Sequence, residues 1–465
     1  MARVLFVQPW NYHDEDIRNH NLEVEWRNGP YSLLVLATQL KRFFHEPCIA
    51  DLARELVRNN GNVQKTLQWF SDLIIEFKPD IIAFTFFSVH YLETKRAIQV
   101  ARATCKNNGL KSILIGGGIH ATLEPQKSLL DLDLDYVCIG EGDLSLVQLA
   151  NGDSPGSIQG VYGKDGHEIS RGVEVRPLDL LPYPDWSLCD YQFYALPSYG
   201  KVKFKKSRTL DIMMGRGCIN KCNFCAYSTV SSPRYYSAGY LIHQIELMIE
   251  NYSIDSVYFL DSSLGNNQKL LLNFCELMKK KNLNSDFEWY ANIRSDQVNK
   301  DLLMTLWEAG CRFLFYGFES GSQRILNAMN KGITVEQNLR AAEIHNQLGF
   351  PYHASIIIGY PGETESDIRQ TIQFLQTARP PIVGINPYVP LPGSPDYRRL
   401  IREGHISLDD PKIWRDIGET NYSRLYADMR PEVLQKLIEE INNLIYGELC
   451  TNTMVQWGFN PFKPT

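Results

Sequence analysis

With 465 residues, of which 44% are hydrophobic and 22% charged, the chain has an ordinary globular composition and room for roughly two to four domains of about 150 residues each. A net charge of -6 with no basic stripe removes the electrostatic ground for nucleic acid as a main partner, and no run of about 18 apolar residues is present to cross a membrane. The first apolar run, Val4-Leu5-Phe6-Val7, is too short for a signal peptide, and seven of the ten cysteines are scattered in the manner of small buried hydrophobes, so a cytoplasmic protein without disulfides is expected.

The first 150 residues alternate short apolar runs with helical patterns, which predicts a doubly wound parallel sheet. Strands are expected at Val4 to Val7, Cys48 to Ala50, Ile81 to Phe87, Ser112 to Ile115 and Tyr136 to Ile139, with helices at Ser32 to Phe44, Val63 to Phe77, Tyr91 to Lys106 and Leu144 to Ala150. Such sheets bind ligands at the carboxyl ends of their strands. Here those loops read Gln8-Pro9-Trp10, Ser88-Val89-His90, Gly116-Gly117-Gly118-Ile119-His120 and Gly140-Glu141-Gly142-Asp143. A hairpin with an Asp165-Gly166 turn is expected over residues 158–169, and the proline-rich stretch Pro177 to Trp186 reads as a tether. These boundaries divide the chain into 1–155, a hairpin and linker at 156–205, a second domain at 206–390 and a mixed C-terminal region at 391–465.

A second alternation runs from Thr209 to Asn386. Strands are expected at Thr209 to Met214, Ser256 to Leu260, Phe287 to Ala291, Phe313 to Gly317, Tyr352 to Ile358 and Ile382 to Asn386. The helices between them fall at Leu241 to Glu250, Gln268 to Lys280, Lys300 to Ala309, Val335 to Leu348 and Glu365 to Thr377. Six strands with helices between them resemble a partial (βα)6 barrel, and in parallel barrels the reactive groups sit on loops at the carboxyl ends of the strands. In the C-terminal region Pro431 to Tyr446 carries Leu434, Leu437, Ile438, Ile441 and Ile445 at helical spacing, the pattern of a packed helix.

The loop after the first barrel strand reads Gly217-Cys218-Ile219-Asn220-Lys221-Cys222-Asn223-Phe224-Cys225. A C-x3-C-x2-C run offers three thiolates and no fourth, which suits a [4Fe-4S] cluster with one open iron; a zinc site borrowing a distant ligand such as His243 is the alternative. The spacing, Arg216-Gly217 before it and Phe224 ahead of the last cysteine resemble the signature of the radical S-adenosylmethionine (radical SAM) enzymes. That resemblance implies that Cys218, Cys222 and Cys225 hold the cluster. Its open iron would then chelate the amino and carboxylate groups of SAM, and electron transfer would release a 5'-deoxyadenosyl radical.

Three further segments resemble this superfamily, in the subgroup that includes cobalamin-dependent enzymes and methylthiotransferases. Gly317-Phe318-Glu319-Ser320-Gly321-Ser322, followed by Ile325-Leu326 and Met329, implies SAM contacts from Glu319 and Ser320, with a helix-capping Glu319 as the alternative. Ile358-Gly359-Tyr360-Pro361-Gly362-Glu363-Thr364 implies that Gly359 lies along the adenine, although a plain strand-to-helix turn has the same composition. Asp261-Ser262-Ser263 and Arg294 stand where polar contacts to SAM or substrate are implied, Arg294 as a bidentate partner of a carboxylate or else as a solvated surface arginine.

The N-terminal sheet resembles the cobalamin-binding domain that precedes such barrels. Thr85-Phe86-Phe87 with Ser88, the glycines Gly116, Gly117 and Gly118 with His120, and the acidic loop Gly140, Glu141, Gly142 carry the likeness, which with the barrel covers residues 1 to about 400. The Asp-x-His-x-x-Gly motif of other cobalamin proteins is absent after the first strand, where Pro9-Trp10-Asn11-Tyr12-His13-Asp14-Glu15 stands. His13 is read as a loop histidine, His90 and His120 as polar residues satisfied beside the pocket, and Tyr12 as a contact to the lower face of the corrin.

The resemblance implies an α/β enzyme with a [4Fe-4S] cluster, SAM and cobalamin. Its expected activity is transfer of a methyl group from methylcobalamin to an unactivated carbon of a small molecule or natural product. A radical cyclase or other non-methylating enzyme, a methylthiotransferase and a non-catalytic cobalamin or SAM sensor are the alternatives. Expected partners are the small-molecule substrate and an electron donor such as flavodoxin or ferredoxin, with no nucleic acid and no membrane.

Overall fold

In the computed structural model, residues 1–10, 29–164, 169–195, 198–199, 202–203, 208–227, 230–407 and 426–445 are described. Tyr12, His13, the Asp165-Gly166 turn and Tyr446 lie outside them. The chain divides into two units, one of Met1–Tyr194, Thr229–Arg234 and Leu391–Glu419, the other of Ala195–Ser228, Tyr235–Pro390 and Thr420–Thr465.

The first unit is built on β1 (Arg3–Gln8), α1 (Tyr31–Arg42), β2 (Glu46–Asp51), α2 (Leu52–Arg58), α3 (Val63–Phe77), β3 (Ile81–Thr85), α4 (Tyr91–Asn107), β4 (Ile113–Gly117), α5 (Ile119–Leu123), α6 (Pro125–Asp131), β5 (Tyr136–Cys138), α7 (Ser145–Ala150) and β6 (Val161–Gly163). Its sheet has the order β2-β1-β3-β4-β5-β6, parallel as far as β5. Val4, Leu5, Phe6 and Val7 of β1 are all fully buried, as a central strand covered on both faces requires. Helix α3 shows how the covering layer is encoded. Asn62 caps it by accepting the Lys65 amide, and Thr66, Phe70 and Ile74 recur every fourth residue on its buried face. Burial of Phe70 and Ile74 stabilises this contact by about 1.5–3 kcal/mol each.

The first arm expected for the hairpin, Ile158 to Tyr162, overlaps β6 (Val161–Gly163), which pairs antiparallel with β5 as the edge of the first sheet, and Ile158 and Val161 share the core that also holds Leu146 and Leu149. The proline-rich tether is also packed: Leu178 and Trp186 are fully buried, Trp186 fills the space a side chain at Gly29 would need, and Asp185 is held by Thr38 and Lys41 of α1. Helices α2, α5 and α6 were not expected, since five to seven residues are too few to show a helical period.

The second unit carries β7 (Thr209–Ile212), α8 (Ala238–Tyr252), β8 (Ser256–Phe259), α9 (Gln268–Lys280), β9 (Glu288–Ile293), α10 (Lys300–Glu308), β10 (Cys311–Glu319), α11 (Gln323–Ala328), α12 (Val335–Leu348), β11 (Tyr352–Ile358), α13 (Glu365–Ala378) and β12 (Ile382–Pro387). The six strands are parallel and neighbours in strict chain order, the wall of a partial barrel with β7 and β12 at its edges. Phe259, Phe274 and Trp289 meet edge-to-face at 5.5–5.8 Å between β8, α9 and β9, and Trp289 donates its Nε1-H to the Ala309 carbonyl at 2.9 Å. The helix expected at the C-terminal end runs over Pro431–Leu444 and buries Leu434, Leu437, Ile441 and Leu444. Among the described residues, no helix is long and apolar enough to cross a membrane.

Candidate functional site

The cysteine loop is shaped from outside itself. Just past β8, the buried Asp261 carboxylate accepts the amides of Met214 at 2.7 Å and Gly215 at 2.8 Å, which fixes how the chain leaves β7. Burial pushes the Asp261 carboxyl up to about 7 against the pull of these amides. Gly217 then takes φ +81°, a conformation that favours glycine. Asp261 therefore shapes the start of the cysteine loop.

Around Cys218 the side chains converge on sulfur. Asn220 Nδ2 stands 3.6 Å and Asn266 Nδ2 3.9 Å from Sγ, and Asn220 Nδ2 is 3.3 Å from Asn266 Oδ1. Burial by itself would raise the Cys218 thiol, but hydrogen bonds from Ser262, Asn220 and Asn266 outweigh it and hold the thiol below its ordinary value. Ser263 donates to Gln297 Oε1 at 2.6 Å, and Gln297 Nε2 donates to Asn266 Oδ1 at 3.0 Å. Ser263 is thus linked to the Cys218 sulfur through Gln297 and Asn266.

The second half of the loop is clasped by the segment after α11. Asn223 donates its backbone amide to the Met329 carbonyl and its side chain to the Ala328 carbonyl, both at 2.8 Å, while Asn330 Nδ2 donates to the Lys221 carbonyl at 2.8 Å. Tyr360 adds a hydroxyl on the Ala328 carbonyl at 3.1 Å. Next in the chain, Lys331 places Nζ 2.7 Å from Glu319 Oε1 and 5.8 Å from the Phe224 ring centroid. Glu319 holds this carboxylate from a left-handed backbone, φ +63°, and a Cβ at Gly317 would displace the Glu319 carboxylate from its present place. The Cys222 thiol is raised by burial, with Lys331 opposing that rise.

Several residues expected near SAM or substrate have partners within the protein. Arg294 finds its carboxylate in Asp296, with Nε and Nη2 both at 2.9 Å, and spends Nη1 on the Lys331 carbonyl at 2.9 Å. Ser320 is fully buried against Thr371 at 3.3 Å and accepts the Ser322 amide, so it fastens the turn to α13. Gly359 has φ +87° and donates its amide to the buried Glu363 carboxylate at 2.7 Å, closing the turn after β11; burial raises that carboxyl to about 7. His243, the alternative zinc ligand, is exposed on α8 with its ring 3.7 Å from Glu246.

In the first unit the strand order places a topological switch point between β1 and β3, where α/β sheets open toward ligands. Ser88 Oγ and His120 Nδ1 meet at 2.9 Å, joining the loops after β3 and β4. His120 is fully buried among Phe86 and Tyr91, so it supports the loop from behind and does not line its surface. A Cβ at Gly116 would stand 2.5 Å from Leu134, which makes that glycine a packing requirement. At Gly118, φ +93°, a Cβ would stand 3.0 Å from both the Phe86 carbonyl and Thr85 Oγ1. A Cβ at Gly117 or Gly142 would meet nothing closer than 3.8 or 3.4 Å, so packing within the unit does not demand glycine there. Gly140 donates its amide to Thr122 Oγ1 at 2.9 Å. Glu141 is taken by the buried Arg234, which also lies 3.5 Å from Glu174 and donates to the Val175 carbonyl at 2.8 Å. Two residues past β3, Phe87 is half exposed.

Residues 28–150 match the model of the B12 binding domain, and residues 212–375 match the model of the radical SAM superfamily. The chain therefore joins a B12-binding domain to a radical SAM domain. It is 28% identical to the uncharacterized methyltransferase PH0819 of Pyrococcus horikoshii, over 74% of this chain and 72% of that one. It is 25% identical to the anaerobic magnesium-protoporphyrin IX monomethyl ester cyclase of Cereibacter sphaeroides, over 86% of this chain but 63% of the cyclase. Its fold resembles that of the radical SAM methyltransferase TsrM from Kitasatospora setae, solved with cobalamin and a [4Fe-4S] cluster bound, at TM-score 0.66 and 17% identity over 87% of this chain and 78% of TsrM.

The radical SAM domain fits a cluster by its donor set. It offers three thiols on one loop, amide donors aimed at the Cys218 sulfur, and a lysine behind Phe224. Among the described residues, no three His, Cys, Asp or Glu side chains stand at metal-coordinating spacing, so the fit rests on this chemistry and not on a preformed cage. Sequence reasoning missed Asn266, Gln297, Lys331 and Arg234. The first two stand on loops after other strands, and only the topology of the barrel brings them to Cys218.

Proposed function

We propose that this enzyme is a cobalamin-dependent radical SAM methyltransferase acting on an unactivated carbon of a small molecule or natural-product intermediate. The observation that carries the reading is the union in one chain of a B12-binding domain with a barrel whose first loop offers three thiolates and no fourth ligand. When bound, the cluster with SAM supplies a 5'-deoxyadenosyl radical for hydrogen removal, and cobalamin supplies the methyl group.

The protein's own part is to hold and shield these groups. Cys218, Cys222 and Cys225 would ligate the cluster, leaving one iron for SAM. Glu319 and the backbone at Gly359 would line the SAM side, with Phe224 beside them. Asp261, Ser263, Arg294 and Ser320 act behind them as positioning residues, since each is committed to a protein partner. On the B12-binding domain, Thr85, Gly117, Gly118, Gly140 and Gly142 would line the cofactor, while Ser88 and His120 brace the loops beneath. Gly116 and Glu141, committed to Leu134 and Arg234, would not touch it. Electrons would come from an external low-potential donor such as flavodoxin or ferredoxin.

Anaerobically reconstituted protein given SAM and a reductant should form both 5'-deoxyadenosine and S-adenosylhomocysteine when its substrate is present. Deoxyadenosine alone would select a second reading, a non-methylating cyclisation, which the likeness to the cyclase favours. Cys222→Ala should abolish deoxyadenosine formation, and survival of that product would refute the cluster assignment.

A further inference from the structure

We propose that Lys331 sets the reduction potential of the cluster, with Glu319 as its counterweight; the proposal rests on the reading of Cys218, Cys222 and Cys225 as cluster ligands. Lys331 is 9% exposed, and a lysine withdrawn this far from water is costly unless an anion accompanies it. Glu319 supplies the anion at 2.7 Å.

Pairing alone does not account for where the pair sits. Phe224 stands between two of the three thiol ligands, and Lys331 Nζ lies over its ring. The three residues before Lys331 hold the loop by three hydrogen bonds of 2.8 Å, through Asn223 and Lys221. The lysine's own carbonyl is fixed by Arg294, whose guanidinium is already neutralised on Asp296. A fixed charge pair is therefore built into the wall on which the cluster loop rests.

Cluster reduction adds one electron to a group already made negative by three thiolates. A nearby cation stabilises the reduced form more than the oxidised one, and a nearby anion does the reverse; in a water-poor site these effects are weakly screened. Lys331 raises the potential and Glu319 lowers it. The two side chains are thus positioning residues with opposite electrical sign at one place, which a purely structural pair would not reveal.

The test is a redox titration, followed by electron paramagnetic resonance, of the anaerobically reconstituted full chain without SAM, after iron and sulfide analysis of each protein. Lys331→Met should shift the potential downward, Glu319→Gln upward, and Lys331→Arg should stay near the wild type. Shifts of the same sign, or no shift, in variants with full iron and sulfide would overturn the proposal. If Lys331→Met retains no cluster, Glu319→Gln decides: a rise supports the assignment and its absence removes it. Wild-type protein that takes up no iron and sulfide would instead sink the underlying cluster reading.

Discussion

The Asp261 carboxylate, past the end of β8, holds the Gly215 amide at 2.8 Å beside the exit of β7, so the second barrel strand determines the shape of the loop grown from the first. Asp261→Ala leaves the buried amides of Met214 and Gly215 without their acceptor, at a cost of about 1–3 kcal/mol for each. Asp261→Asn keeps an oxygen for one amide but turns an NH2 donor toward the other, so it should fall between alanine and wild type. Chemical denaturation and iron content after reconstitution check this, and a fully stable, iron-replete Asp261→Ala protein would show that the loop shapes itself.

Gly117 and Gly118 are neighbours with different reasons to be glycine. At Gly118 a methyl group meets the Phe86 carbonyl and Thr85 Oγ1 at 3.0 Å on a backbone at φ +93°, so Gly118→Ala should destabilise the domain by about 1–3 kcal/mol. Gly117→Ala meets nothing nearer than 3.8 Å and should leave stability within about 0.5 kcal/mol of wild type. If the backbone there approaches the corrin, the same variant should lose corrinoid absorbance on desalting. Retention equal to wild type would take Gly117 out of the cofactor site.

Much of this was legible because period and turn chemistry are local. Val63–Phe77, Gln268–Lys280, Val335–Leu348 and Tyr352–Ile358 fall where the pattern of apolar residues puts them, and the three closely spaced cysteines single out one loop. What could not be read was commitment. Nothing in the sequence says that Arg294 is used up by Asp296, or that Asn266 reaches the Cys218 sulfur from 48 residues away. That Val161–Gly163 pairs with β5 is likewise not legible, because the two strands lie across a long connection.

Arg234 gives the first unit a buried cation shared by Glu141 and Glu174. Truncation to methionine strands the carboxylate of Glu141, which is itself only 12% exposed, and should cost about 3–5 kcal/mol. Lysine keeps the charge but loses the fork that also reaches the Val175 carbonyl, so a smaller loss is expected. Equal stability of Arg234→Met and wild type in urea would show the cluster to be dispensable.

His120 provides a pH signature for the B12-binding domain. Burial, aided by Lys127, lowers its imidazole from the ordinary value near 6.5 to about 3, so the folded state keeps it neutral. The unfolded chain takes up a proton as pH falls below 6.5 and the folded one does not, so stability is complete above 6.5 and is lost by about 1.4 kcal/mol per pH unit toward 3. His345 and His353, lowered to about 4, act in the same direction, whereas Asp261 and Glu363, raised to about 7, lose stability as pH rises from the ordinary carboxylate range. The difference between wild type and His120→Gln isolates one group from this sum. Urea midpoints at pH 7, 6 and 5 should show a shallower acid loss in His120→Gln. Ser88→Ala removes the 2.9 Å partner but not the burial, so it should lower stability by about 1 kcal/mol at every pH and leave the slope unchanged. Parallel slopes in wild type and His120→Gln would mean that the imidazole titrates in the folded state as freely as in the unfolded one, and that the loops after β3 and β4 open to water.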